Sequence, residues 1–391
     1  MTLKQLKLIE LKDSIEKAVL PDQIEELKKK HIEWMKEAKE LGERYTDPEE
    51  VEKEDTELVI KDMIEKAKPI DGVDTSFFKR GGIVVGFDES QQSKIGTYAR
   101  VSCFKFAESH VCFENGKYKI QDYIYEPSVG YIEDSYQKFI VYAEAVENFV
   151  KNLELGFKGT PLEPHVKAIR AWRIKFLPTS TSDEWKKITP SDGYVADRIR
   201  MLDELLNTFL RMKKIKEENP DKDIIFLGDG ISAFRSHIVN PAAVITFFSE
   251  FCKHYGLKYY TFSKTCRLRE KNTGVFLLPA ISEITKDKPF IIGIKQDHSK
   301  SHTFLVRLVH RDMPALRFDI PAFLDPADAI GILKLLIPFC PTGYPVCLEH
   351  AHKASQLNDL EWRRLDVQYL CTEKDPRTRH LINNLRSYVL P

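Results

Sequence analysis

The chain has 391 residues, 42% hydrophobic and 30% charged, with 59 basic side chains balancing 59 acidic ones. This composition excludes a disordered or fibrous protein, and at ~150 residues per domain it allows about two or three units with a proper core and no disulfide or metal staples. The best apolar run, Ala329 to Cys340, is broken by Lys334 and is shorter than the roughly 18 to 20 residues of a membrane span, so a membrane-integral role is not expected.

Charge is unevenly divided. Met1 to Ile70 holds 14 basic and 19 acidic side chains, so this segment carries −5 and the remainder +5, and the two parts are expected to meet different partners. Met1 to Asp13 lacks the apolar core and cleavage site of a signal peptide. Seven scattered cysteines, none spaced CxxC, read as reduced thiols of a cytoplasmic protein rather than zinc ligands.

Leu3, Leu6, Leu8, Ile9, Leu11 and Ile15 recur at helical spacing, Pro21-Asp22 breaks the run, and Ile24, Leu27, Ile32, Trp34, Met35 and Leu41 begin another; a third helix is expected around Glu54 to Ala67. These charged helices either pack on the body of the protein or form a dimerisation or partner-docking arm. After Gly81-Gly82, Ile83 to Phe87 is a continuous apolar run that suits a buried strand, ending in Asp88-Glu89-Ser90. Tyr98 to Phe106, His110 to Glu114 and Tyr118 to Tyr125 alternate as further strands, with Asn115-Gly116 as a hairpin turn.

Asp134-Ser135 caps a helix to about Gly156, and Val195 to about Lys216 is a second long one. Asp223 to Leu227 is another buried strand, ending in Gly228-Asp229-Gly230. A helix from Asn240-Pro241 stops at Gly256, strands follow at Lys258 to Phe262, Phe290 to Lys295, Thr303 to Val309 and Ala315 to Ile320, and a helical region begins near Asp325. Antiparallel strands followed by alternating strands and helices give an α/β fold, a mixed sheet flanked by helices.

Two buried strands thus end in aspartates, Asp88 and Asp229, each followed by small or polar residues. Strand tips hold carboxylates rigidly, and two or three of them can bind divalent metal for phosphodiester cleavage; each alone is also an ordinary turn residue. In Gly343 to His352, Pro345 is followed by a helix-like stretch carrying Tyr344 before it and His350 and His352 on it. Two residues apart, these histidines cannot share a helix face, so at most one points at a site. His298, His302 and His310 lack accompanying cysteines and read as surface residues.

The ordered motifs Phe87-Asp88-Glu89-Ser90, Gly228-Asp229-Gly230-Ile231-Ser232, Phe262-Ser263-Lys264-Thr265-Cys266-Arg267-Leu268, Arg317-Phe318-Asp319-Ile320-Pro321 and Gly343-Tyr344-Pro345 through Ala351-His352 resemble the NurA nuclease family, over about Gly72 to Leu360. The resemblance implies an RNase H-like nuclease domain over 71–391 behind an N-terminal helical extension, 1–70. It also implies manganese-dependent cleavage of DNA, with magnesium as the substitute, by a homodimer. Its expected activity is exonuclease and single-strand endonuclease in end resection, double-strand break repair and homologous recombination, with a HerA-type hexameric ATPase as partner. By the same resemblance Asp88 and Asp229 are metal carboxylates, Tyr344 and His352 the C-terminal pair, and His350 a bystander.

The family's helix glutamate corresponds to Glu204, four residues after Arg200, or to Asp203; Glu89 replaces the family's glycine. Lys264, Arg267, Arg269 and Lys271 offer phosphate contacts, while Lys167, Arg170, Arg173 and Lys175 around Trp172 read as a solvated face. The alternative function is a nucleic-acid-binding adaptor of a motor ATPase with weak or lost catalysis.

Overall fold

The structure, a computed structural model, describes residues 66–95, 100–114, 117–133, 138–176, 192–230, 241–264, 278, 281, 289–294, 301–309, 315–362 and 364. The chain divides into Met1–Glu52 and Lys53–Pro391, and every described residue belongs to the second unit. The N-terminal helices, the Asn115-Gly116 turn, Arg267, Arg269, Lys271, His298 and His310 lie outside the described residues.

The strands are β1 (Lys68–Pro69), β2 (Ile83–Ile95), β3 (Arg100–Glu114), β4 (Lys117–Ile124), β5 (Ser128–Glu133), β6 (Ile224–Asp229), β7 (Lys258–Ser263), β8 (Phe290–Ile294), β9 (Ser301–Arg307) and β10 (Leu316–Pro321). They form one sheet in the order β1-β8-β9-β10-β7-β6-β2-β3-β4, with β5 also on β3. β6 lies parallel between β2 and β7, and the other pairings are antiparallel. The stretch β4-β3-β2-β6-β7 is the strand order of an RNase H-like core, so the mixed α/β sheet flanked by helices is as anticipated.

Two expectations change. Residues 100–114 do not form two strands, because β3 runs unbroken from Arg100 and keeps β2 paired from Val84 to Ile95. Nor does the first strand stop at Asp88, since β3 supplies hydrogen bonds well beyond it; what ends there is the pairing with β6, whose last partner pair is Phe87 and Gly228. Asp88 therefore sits where β6 leaves β2.

Helices α1 (Lys138–Gly156), α2 (Glu163–Phe176), α3 (Asp192–Glu218) and α4 (Pro241–Tyr255) cover one face of the sheet. α3 is helical because Ala196, Ile199, Leu202, Leu206, Phe209, Met212 and Ile215 recur every three or four residues, and this stripe is buried. It packs on Phe87, which stacks between Phe106 and Phe226 with ring centroids 5.8 and 5.7 Å away. The other face carries α5 (Ala329–Leu336) and α6 (Val346–Ser355), over Val84, Leu227, Phe262 and Phe318. Alternation along β2 thus assigns Ile83, Val85, Phe87 and Glu89 to the α3 face, and Val84, Gly86, Asp88, Ser90 and Gln92 to the α6 face.

Gly86 lets α6 lie directly on β2: a β-carbon there would stand 2.7 Å from the Cys347 carbonyl carbon. Gly343, at φ 79°, turns the chain into Tyr344 and Pro345, which precede the first turn of α6.

Candidate metal centre

The parting of β2 and β6 leaves Asp88 and Asp229 side by side, and α6, seated over Gly86, brings His352 onto them. Asp88, Asp229 and His352 each offer a ligand atom, all within 4.8 Å of one another. The Asp88 side chain is 10% exposed and that of His352 43%, so the cluster opens to solvent on one side. His352 Nδ1 lies 2.9 Å from Asp88 Oδ2, and the Ser355 hydroxyl donates to the same oxygen at 2.8 Å.

Burial raises the Asp229 pKa, and the neighbouring Asp88 carboxylate adds to the rise, against Tyr344, Lys264 and His352, which pull it down. The Tyr344 hydroxyl is buried beside Asp229, outside strict hydrogen-bond geometry, and burial and that carboxylate raise its own pKa. Lys264 Nζ caps the other side of Tyr344, 4.0 Å from the ring centre. Lys264 itself is exposed at the end of β7 and so stands at the rim of the cluster.

Glu204, on α3, lies outside that group of three, but its charge is felt together with those of Asp88 and Asp229. Arg200 Nη1 donates to Glu204 Oε2 at 2.7 Å and to the Glu89 carbonyl at 3.0 Å. Burial pushes the Glu204 pKa up to about 8; Arg200 opposes the shift, and Asp88 and Asp229 reinforce it. Asp203, one residue earlier, faces Glu89 instead, and the two share a hydrogen bond. Glu89 is 3% exposed, on the face of β2 opposite to Asp88. Burial first, then Asp203 and Glu204, push its pKa up to about 11, so it is a neutral acid at pH 7 and adds no charge to the cluster. Strand alternation turns this extra carboxylate inward, away from solvent.

His350 points elsewhere, its Nδ1 3.1 Å from Asp122 on β4. Arg317 and Asp319 lie in the sheet interior: Arg317 Nε donates to both Asp319 carboxylate oxygens at 3.0 Å and Nη2 to Thr303 at 3.3 Å, a buried brace of β9 and β10.

The residues that sequence reading missed sit on the α6 face of β2 and β3. Ser90 Oγ donates to the Ser355 carbonyl, Gln92 Nε2 to the Leu357 carbonyl at 3.0 Å, and Lys105 Nζ to the Gln356 carbonyl at 3.1 Å. Lys105 also pairs with Glu361 at 2.7 Å, and Trp362 Nε1 donates to Gln92 Oε1 at 2.7 Å. Asp88, Ser90 and Gln92, two residues apart in sequence, were the available signal; their partners some 265 positions later were not.

The donor set fits a hard divalent cation. Two carboxylates and an imidazole without a thiolate suit magnesium or manganese better than a soft metal, and a cation would relieve the Asp88–Asp229 repulsion that lifts Asp229.

No protein-family model and no curated protein matches the chain. Solved structures do. The fold is similar to that of NurA nucleases. The NurA nuclease from Sulfolobus solfataricus is 14% identical, with 90% of this chain and 96% of that one covered and a TM-score of 0.41. A NurA structure bound to dAMP and manganese is 13% identical, with coverage of 93% and 100% and a TM-score of 0.38. The catalytic domain of human endonuclease V is 12% identical, with coverage of 79% and 93% and a TM-score of 0.35. These are likenesses of fold at low sequence identity.

Proposed function

We propose that the chain is a divalent-metal-dependent DNA nuclease whose centre is Asp88, Asp229 and His352, with Glu204 as the third carboxylate. The observation that carries this reading is the convergence of two aspartates and a histidine, within 4.8 Å, at the parting of two central strands. Manganese or magnesium held there would activate water and neutralise charge on the scissile phosphate. Asp88 and Asp229 would hold the cation, and His352 would serve as a further ligand or carry a proton at its ring nitrogen. Tyr344, packed under Lys264, keeps that ammonium beside Asp229, where it can bind a phosphate of the strand. Arg267 and Arg269, which follow Lys264 in the sequence, are proposed as further phosphate-binding side chains.

The motif order supports the finer reading: exonuclease and single-strand endonuclease activity in end resection and double-strand break repair, as a homodimer working with a HerA-type ATPase in the cytoplasm. The acidic segment Met1 to Ile70 is the proposed docking arm, since a surface carrying −5 is unsuited to DNA. The adaptor alternative rested on Glu89 and on the Asp203-Glu204 ambiguity. Glu89 faces away from the cluster and Asp203 is bonded to Glu89, which supports Glu204 as the proposed third carboxylate.

The test is cleavage of end-labelled single- and double-stranded DNA with manganese, with magnesium and with EDTA. Metal-dependent cutting is expected, with loss of about 10²-fold or more in Asp88→Ala and Asp229→Asn as the cation loses its ligands. Full activity in either variant would overturn the assignment.

A further inference from the structure

We propose that Ser355 is a positioning residue for the metal-binding carboxylate: its hydroxyl, with His352 Nδ1, commits Asp88 Oδ2 to the protein and leaves Oδ1 as the oxygen presented to the cation. The inference rests on the metal-centre reading above.

Ser355 is fully buried, so it touches neither DNA nor solvent. Its Oγ has two acceptors within reach, Asp88 Oδ2 at 2.8 Å and the carbonyl of His352, one turn back, at 3.0 Å. A hydroxyl has one proton, and an ionised acceptor makes the shorter and stronger bond. The proton therefore goes to Asp88, and the helix carbonyl is the secondary acceptor. Back-bonding of this kind is what an ordinary helical serine does; an aspartate 267 positions away competing for the same hydrogen is not.

Ser355 does not hold the end of α6 in place by its own side chain. Its carbonyl accepts from Ser90, and the next two carbonyls accept from Lys105 and Gln92. With three successive carbonyls anchored to β2 and β3, removal of the hydroxyl leaves the backbone where it is and frees one oxygen of Asp88 to rotate. His352 is also affected, because the oxygen that Ser355 steadies is the one that fixes the orientation of the imidazole. Partners outside the ligand set that orient a ligand typically contribute about 10- to 100-fold to metal affinity.

The experiment is titration of the full chain with manganese alone, without DNA, followed calorimetrically. The proteins are wild type, Ser355→Ala, Ser355→Thr and Asp88→Asn, each checked for fold in EDTA by circular dichroism. Ser355→Ala is expected to weaken manganese binding roughly 10- to 100-fold. Ser355→Thr, which keeps the hydroxyl, is expected to restore most of it, and affinity for DNA in EDTA is expected not to change. If Ser355→Ala fails to fold, Ser355→Cys takes its place, since a thiol is too weak a donor to hold Asp88 as the hydroxyl does, and weakening in the same direction is expected. Unaltered manganese affinity in the serine variant, with binding lost in Asp88→Asn, overturns this inference and leaves the metal centre standing. Absence of Asp88-dependent manganese binding in the wild type overturns both.

Discussion

Glu89 on β2 and Glu108 on β3 are buried carboxyl groups, and their surroundings give them opposite protonation. Glu108, on β3, receives Arg211 Nε at 2.9 Å and Nη2 at 2.7 Å, with His110 Nε2 at 3.2 Å. Burial raises its pKa, but the bonds from Arg211 and His110 more than offset this and hold it below the usual carboxylate range. Its contribution to stability is therefore present above the unfolded pKa and is lost as pH falls through the folded one. Arg211→Met strands this charge and is expected to cost ~3–5 kcal/mol at neutral pH, and less in acid where Glu108 is protonated; urea titrations at the two pH values check it.

Glu89 behaves the other way. Its folded pKa of about 11 lies above the unfolded 4.5, so the unfolded chain releases a proton that the folded one keeps, and stability falls as pH rises through that window. Glu89→Gln is expected to raise the melting temperature in EDTA, by more at about pH 9 than at about pH 5. A gain that did not change with pH would show that no proton is held there.

At the level of elements, the site depends on how α6 meets β2. The strand supplies Gly86 for close approach and Asp88, Ser90 and Gln92 as alternate side chains that bond to residues 352–362. Gly86→Ala drives a methyl group into the backbone at Cys347, an overpacking that costs about 1–3 kcal/mol and displaces His352 and Ser355 together. The expected outcome is a lower denaturant midpoint with weaker manganese binding in the same variant; an unshifted midpoint would mean that α6 has room to move. The strand and helix types here were legible from period alone, as in Ile224 to Leu227 or the α3 stripe. The ends of β2 and β3 were not, because they depend on which neighbour continues the hydrogen-bond ladder. β5 and α2 were passed over for a related reason: each is defined by its packing partner more than by its own pattern.

For the whole molecule, the sheet is one continuous body, with β1 (Lys68–Pro69) paired to β8 at its far edge. A truncation that tests the docking arm should therefore stop at Glu52, the division between the two units, and leave β1 in place. Removing 1–52 is expected to reduce dimer or ATPase association in analytical ultracentrifugation while leaving manganese affinity within about twofold, since all three cluster residues belong to the other unit. Retained assembly would move the docking surface elsewhere.

By itself the sequence determined the α/β class, the two aspartate strands and the short Tyr344 to His352 segment, because hydrophobic period and residue type are local properties. Which groups meet was decided only in three dimensions. The direction in which Glu89 points, the pairing of Asp203 with Glu89, and the bond from Ser355 to Asp88 depend on strand alternation, the face that α3 presents and the seating of α6 over a glycine. None of these is written at a single position in the chain.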